Sequence, residues 1–158
     1  MIASKWGWTA YAVALGAIAA DQATKLWILA TVPLGASRPV VWPLNLTLSW
    51  NEGFSFGLMQ GRGDFARWGL FAFALLVSGL LAVWARRAAN WLAGAGLGLV
   101  LAGALGNAID RARYGAVVDF IDVDQLGFFP WIFNVADSCI TVGVVLLLIE
   151  SMRPQRPA

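Results

Sequence analysis

The chain has no histidine and a single cysteine, Cys139. These two shortages remove whole branches of chemistry. Without histidine there is no Ser-His-Asp or Cys-His nucleophile and no His-ligated zinc. One cysteine permits no internal disulfide and identifies no redox compartment. Charge is scarce too: Asp, Glu, Lys and Arg make up 13% of the 158 residues, against about 25% in a soluble domain. The formal net charge is +2 and the basic residues are scattered, so no patch suits nucleic acid. An enzyme built from this composition is left with carboxylates as its acid and base.

What the chain has instead is apolar length. It is 59% hydrophobic with nine tryptophans, and its mean hydropathy is +0.70. Tryptophan favours membrane interfaces. Four stretches, 9–29, 68–84, 91–109 and 131–149, have the roughly 17–25 apolar residues that a helix needs to cross a bilayer. The first could be mistaken for a secretory leader because Lys5 precedes it. No convincing cleavage site precedes Asp21 and three more spans follow, so a retained helix is expected. The length suits one membrane domain over 1–158, with longer outer segments at 30–67 and 110–130.

Lys5, Arg86, Arg87, Arg153 and Arg156 fall on one side of these spans, and Lys25, Arg38, Arg62, Arg67, Arg111 and Arg113 on the other. The count alone does not decide the orientation, but the second group is spread over two longer segments. The positive-inside rule then puts both termini in the cytoplasm. Every acid except Glu150 lies at or near the outer face.

Two of those acids sit in apolar surroundings: Asp119 within Val117-Val118-Asp119-Phe120-Ile121, and Asp137 at the mouth of the fourth span. A carboxylate there is costly, so it lines a cavity, finds a partner or does chemistry. Residues 44–50 alternate apolar and polar with period two, the pattern of a half-buried strand. Asn51-Glu52-Gly53 can turn, Phe54-Ser55-Phe56 resumes the alternation, and 117–123 can add another strand. These fit a small sheet on the membrane surface with its apolar face toward lipid or a lipidic ligand, or equally a hairpin that only caps the bundle. The small residues of the third span, Gly94, Gly96, Gly98, Ala102, Gly103, Ala104 and Gly106, indicate close helix packing. Asn107 shares a helix face with Arg111 and Asp110; Asn134, Asp137 and Thr141 share another; Asp21 and Lys25 form an i, i+4 pair. That last pairing is more often structural than chemical. Acids and Lys25 in such places could also serve as a proton or ion relay in a small transporter, running through Asp21, Lys25, Asp110 and Asp137. The absence of any acid in mid-span speaks against it. A structural membrane subunit whose charges only pair is a third possibility.

Five motifs stand in order: Asp21-Gln22-Ala23-Thr24-Lys25, Asn51-Glu52-Gly53-Phe54-Ser55-Phe56-Gly57, Gly106-Asn107-Ala108-Ile109-Asp110-Arg111, Val117-Val118-Asp119-Phe120-Ile121 and Phe133-Asn134-Val135-Ala136-Asp137-Ser138. Together they resemble the motif set of the bacterial lipoprotein signal peptidases, or signal peptidase II, over residues 9 to 150. Phe54-Ser55 departs mildly from the small residues more usual there. The resemblance implies a mainly α-helical membrane protein with four transmembrane helices and a small β-sheet cradle on the outer, periplasmic face. It implies an aspartic endopeptidase of the bacterial cytoplasmic membrane, active at the outer face. Such an enzyme cleaves diacylated prolipoproteins just before the lipidated cysteine. Carried over by motif, Asp119 and Asp137 are the catalytic dyad. Asn51, Asn107, Arg111 and Asn134 surround it, and Asp21, Lys25 and Asp110 hold the architecture. Membrane lipids are the expected surroundings, and a monomer that needs no cofactor and no metal is expected.

Overall fold

The computed structural model describes residues 3–53 and 63–153. It is mainly helical, with one small sheet. The order is α1 (Lys5–Thr31), β1 (Ser37–Val41), β2 (Leu44–Asn51), α2 (Gly63–Ala85), α3 (Trp91–Tyr114), β3 (Val117–Asp122), β4 (Ile132–Phe133) and α4 (Val135–Ser151). A single 3-10 turn, Asp124–Leu126, lies between β3 and β4. By length and composition, Lys5–Thr31, Arg67–Ala85 and Trp91–Tyr114 are able to cross a membrane.

Helix α3 is the hub and touches each of the other three helices. Its small residues make this possible. A Cβ on Gly98 would collide with the Ala10 carbonyl of α1, and one on Gly103 with the Ala136 carbonyl of α4. Bare Cα atoms let the backbones approach where any side chain would hold them apart. Asn90 caps α3 by accepting from the Ala93 amide at 3.0 Å. Gly115, at φ +86, ends it in the left-handed conformation that glycine adopts without cost.

The two ends of the bundle differ. At one end the Ser4 amide donates to the Arg86 carbonyl at 3.0 Å, and the Asn90 amide donates to Glu150 at 2.9 Å. The start of α1, the α2–α3 link and the end of α4 therefore meet, bringing Lys5, Arg86, Arg87 and Arg153 to one end. Arg156 lies outside the described residues. The sheet occupies the other end. It is antiparallel throughout, in the order β1-β2-β3-β4.

Three expectations need correction. The third helix does not stop at 109 but runs to Tyr114, because nothing before Gly115 breaks it. Asp110 and Arg111 are therefore helical, not part of an outer segment. The fourth helix does not begin at 131: Ile132–Phe133 form a strand, and Asn134 caps the helix that follows. The apolar face of β2 is not left open for lipid. Leu48, Val118 and Phe120 form one buried cluster with Ile28 of α1 and Val32 just beyond its end, and Leu46 and Trp50 pack against it. That face seals the sheet onto the bundle, as the capping alternative requires. The expected strand at Phe54-Ser55-Phe56 and the tail beyond Arg153 fall outside the described residues. Strands β1 and β4 were not expected at all; β4 has two residues and exists only by pairing with β3.

Candidate active site

Asp119 and Asp137 arrive from different elements. Asp119 lies in the middle of β3, opposite Ser49 of β2, and is 2% exposed. Asp137 lies in the first turn of α4. Asn134 joins them. Its side chain accepts from the Asp137 amide at 3.0 Å, and its own amide N–H donates back to Asp137 Oδ2 at 3.2 Å. This reciprocal cap starts α4. The side-chain Nδ2 of Asn134 donates to Asp119 Oδ1 at 2.6 Å and to Asn107 Oδ1 at 3.2 Å. Asn107 in turn donates to Asp137 Oδ1 at 2.8 Å. Two asparagines thus hold both carboxylates, one oxygen each, and leave the cap to fix α4.

The second oxygen of Asp119 accepts from Asn51 Nδ2 at 2.9 Å. The Asn51 Oδ1 accepts from the Gly53 amide at 2.8 Å, so the turn after β2 is tied to the same carboxylate. Burial pushes the Asp119 carboxyl up to about 6; the Asn51 hydrogen bond opposes this and the nearby Asp137 charge reinforces it. A carboxyl in that range still keeps its proton under mildly acidic conditions, when an ordinary one has lost it.

A second layer lies beneath the pair. Lys25, 2% exposed, donates to Asp21 at 2.9 Å, to Asp110 at 2.7 Å and to Asn107 at 3.3 Å. All three ammonium hydrogens have a partner. Two carboxylates around one ammonium leave one negative charge to settle. Asp21 also accepts from the Ala136 amide at 2.9 Å, at the amino end of α4, and Asp110 accepts from the Val118 amide at 3.1 Å. Those backbone dipoles take up the remainder. The layer therefore ties α1, α3, β3 and α4 together next to Asp119 and Asp137.

Every residue expected at the site is brought to it. Among the described residues, the Arg111 guanidinium donates a long 3.4 Å bond to the Asn107 carbonyl, within electrostatic reach of Asp137, Asp119 and Asp110. Thr141 does not join; it only donates to the Asp137 carbonyl. Sequence reading passed over two contributors. Gln22 bridges Asp21 and Asp110 at 3.1 and 3.0 Å; its place inside a quoted motif was the available signal. Arg67 of α2 donates to the Arg111 and Ala112 carbonyls at 2.7 and 2.9 Å, closing the carboxyl end of α3; no signal in the sequence pairs it with that helix. Asp122 accepts from Thr47 at 2.6 Å and from the Asp124 amide at 3.1 Å. Among the described residues no group of three His, Cys, Asp or Glu is placed to hold a metal ion.

A cleft of about 410 Å³ opens beside Asp119, walled by Ser49, Trp50, Asn51, Glu52, Pro130, Trp131 and Ile132. It gives a peptide room to reach one carboxylate from the sheet side. Two carboxylates held in one asparagine frame, with a cleft beside one of them, suit acid–base hydrolysis of an amide without histidine.

Comparison with known proteins agrees with this chemistry. A family model described as signal peptidase (SPase) II matches residues 13–153. A lipoprotein signal peptidase of Caulobacter vibrioides is 50% identical over 151 residues, covering 94% of this chain and 89% of the relative. One from Methylorubrum extorquens is 44% identical over 144 residues, covering 89% and 83%. A solved bacterial membrane enzyme superposes with a TM-score of 0.83 at 34% identity, covering 98% of this chain and 99% of its own.

Proposed function

Because the chain belongs to the signal peptidase II family, and is on that ground a membrane peptidase of prolipoproteins, we propose that Asp119 and Asp137 perform the hydrolysis as an aspartic dyad. The observation that carries this is the linking of the two carboxylates through Asn134, which donates to Asp119 Oδ1 and to Asp137 Oδ2, and through Asn107, which accepts from Asn134 and donates to Asp137 Oδ1. Close carboxylates cannot both ionise cheaply, so the pair holds one proton. The ionised member takes a proton from a water, and that water attacks the scissile carbonyl carbon. The protonated member donates a hydrogen bond to the carbonyl oxygen as it becomes an oxyanion. Collapse of the tetrahedral species breaks the C–N bond, with a proton passing from the dyad to the leaving amine. The pair titrates as a unit, so the roles belong to it rather than to either residue. Asn51 and Asn134 orient Asp119, Asn107 orients Asp137, and Arg111 is available to the substrate backbone. Asp21, Lys25 and Asp110 keep α1, α3 and α4 in register beneath.

In this reading the bond cut is the one before a cysteine that carries diacylglycerol. All four helices cross the cytoplasmic membrane. Helix α4, with 17 residues, is about 25 Å long, at the short end of what a hydrocarbon core of about 30 Å requires. The end rich in basic residues faces the cytoplasm, and the sheet and the dyad face outward. The protein acts as a monomer among lipids, as one domain over 1–158. Lys25 is already shared between Asp21 and Asp110, which supports its use as a fastening rather than as part of an ion path.

The test is cleavage of a diacylated prolipoprotein by purified Asp119→Asn and Asp137→Asn variants. Asparagine keeps the shape but neither takes nor gives the proton. Each change is expected to lower kcat by at least about a thousandfold, with helix content and membrane insertion retained. Near-normal turnover by either variant removes that residue from the dyad.

A further inference from the structure

The buried lysine is connected to more than the two acids it neutralises. Its ammonium donates to Asp21 and Asp110, and also to Asn107 Oδ1 at 3.3 Å. The other end of that asparagine holds the dyad, since Asn107 Nδ2 donates to Asp137 Oδ1 at 2.8 Å. One side-chain amide therefore stands between a cation and a carboxylate of the dyad. Asn134 Nδ2, which donates to Asp119 Oδ1, is a second donor to Asn107 Oδ1, at 3.2 Å. A flipped Asn107 would set its NH2 group against the ammonium and the Asn134 amide, and its oxygen against the Asp137 carboxylate. All of those contacts are repulsive, so the amide is held in one orientation, with its donor toward Asp137.

Charge acts along the same path. Lys25 is buried, and a buried charge is screened far less than one in water. Among the described residues, the charged and titratable groups around the dyad are Asp21 and Lys25 of α1, Asp110 and Arg111 of α3, Glu52 just beyond β2 and Cys139 of α4. Two of these are cations. Lys25 reaches the side chain of Asn107, and Arg111 reaches its backbone carbonyl. At Asp119 burial pushes the carboxyl up first of all, and the Lys25 charge is among the influences that oppose it. A cation near two carboxylates favours the state in which one of them is ionised, which is the state that can activate water.

We propose that Lys25 is a positioning residue of the dyad: through the Asn107 side chain it keeps Asp137 aligned, and through its charge it sets how far into the acid range the pair goes on working. This rests on the peptidase reading above and goes beyond it by giving the buried layer a part in the reaction. A lysine that only fastened helices would affect rate and stability and leave the pH dependence of the remaining activity alone. One that acts on the dyad moves the acid limb of kcat/KM, which reports the essential base of the free enzyme. The net charge of the layer formed by Lys25, Asp21 and Asp110 fixes the direction. Added negative charge moves the limb to higher pH, and added positive charge moves it to lower pH.

The experiment records kcat/KM against pH for the full-length protein in detergent, on one diacylated prolipoprotein. Lys25→Met removes the cation and should raise the midpoint of the acid limb by at least about half a pH unit. Gln22→Lys should do the reverse by a similar amount. Gln22 is half-buried and already donates to both Asp21 and Asp110, so a lysine in its place has two acids to meet. Gln22→Met, uncharged and similar in size, should keep the wild-type midpoint. Gln22→Lys retains Lys25 and both acids, so it decides the question even where Lys25→Met does not fold. A midpoint that stays put in Gln22→Lys, or that moves the same way in both charged variants, overturns the proposal and leaves the peptidase reading intact. Failure of the wild-type protein to cleave the precursor at any pH overturns the peptidase reading itself, and this proposal with it.

Discussion

Asp119 is both a buried carboxyl and the acceptor of two side-chain amides. Its upward shift to about 6, caused first by burial, has a thermodynamic consequence. An unfolded aspartate titrates near about 3.9. The folded state therefore binds this proton more tightly than the unfolded state does. The stability it contributes is fully present below about pH 4 and is lost as pH rises through about 6. The loss is on the order of 3 kcal/mol. Asp119→Asn cannot ionise, so the variant provides the baseline. The melting temperature of the wild type, measured relative to that variant, should fall between about pH 4 and pH 6.5 and then level off. A difference that stays constant across that range contradicts the shift. Lys25 makes the opposite kind of case. Its removal leaves Asp21 and Asp110 facing each other in a buried site, and breaking such a group costs about 3–5 kcal/mol. Lys25→Met should therefore lower the unfolding temperature sharply as well as the activity, whereas Asp137→Asn lowers activity with much less effect on stability. Thermal unfolding in the same detergent separates the two.

At the scale of the elements, backbone proximity around α3 decides stability. A Cβ on Gly103 meets both the Ala136 carbonyl and the Ile140 side chain, while Gly79 of α2 has nothing within 4 Å. Alanine has the better helix propensity at both positions, by about 1 kcal/mol. Gly103→Ala must push α4 away and should destabilise by about 1–3 kcal/mol. Gly79→Ala should be neutral or stabilising. Matched melts of the two variants check this, and a stabilising Gly103→Ala would mean that α3 and α4 are not packed as described. The small-residue run that produces this contact was legible in the sequence, and so were three of the four apolar stretches as membrane-length helices, the strand at 44–50 and the polar residues that hydrogen-bond Asp119 and Asp137. Other features were not, for physical reasons. Asn134 looked like part of a helix face because its spacing to Asp137 is helical; its capping role depends on an extended backbone that spacing alone does not reveal. The alternation of Leu44 to Trp50 identified a strand but not what covers its apolar face, because Ile28 belongs to a distant helix and Val32 lies just beyond its end. Strands as short as β4 carry no period to detect, and Arg67 reaches α3 only through the packing of α2.

At the scale of the whole molecule, the proposed arrangement sets the apolar bundle in lipid and the sheet in water, and the substrate would have to satisfy both. Each acyl methylene kept in lipid is worth roughly 0.8 kcal/mol, so two chains outweigh any contact to the peptide. A precursor lacking diacylglycerol should be cleaved at least about a hundredfold less efficiently, mainly through KM, when initial rates are compared in one detergent. Equal efficiency on both forms would show that lipid plays no part in recognition. Chelators should leave the rate unchanged, because the chain has no histidine and Asp119 and Asp137 are engaged by asparagine amides; activity that vanishes with a chelator and returns with a metal would contradict this. The Asp21–Lys25 pair also bears on biogenesis. Its members sit one turn apart on a single helix, so α1 leaves the ribosome with its lysine already neutralised. The helix can enter the bilayer as a self-compensated rod before α3 exists. When Asp110 is finally made, the lysine already in place can recruit it, so the order of translation becomes an order of assembly.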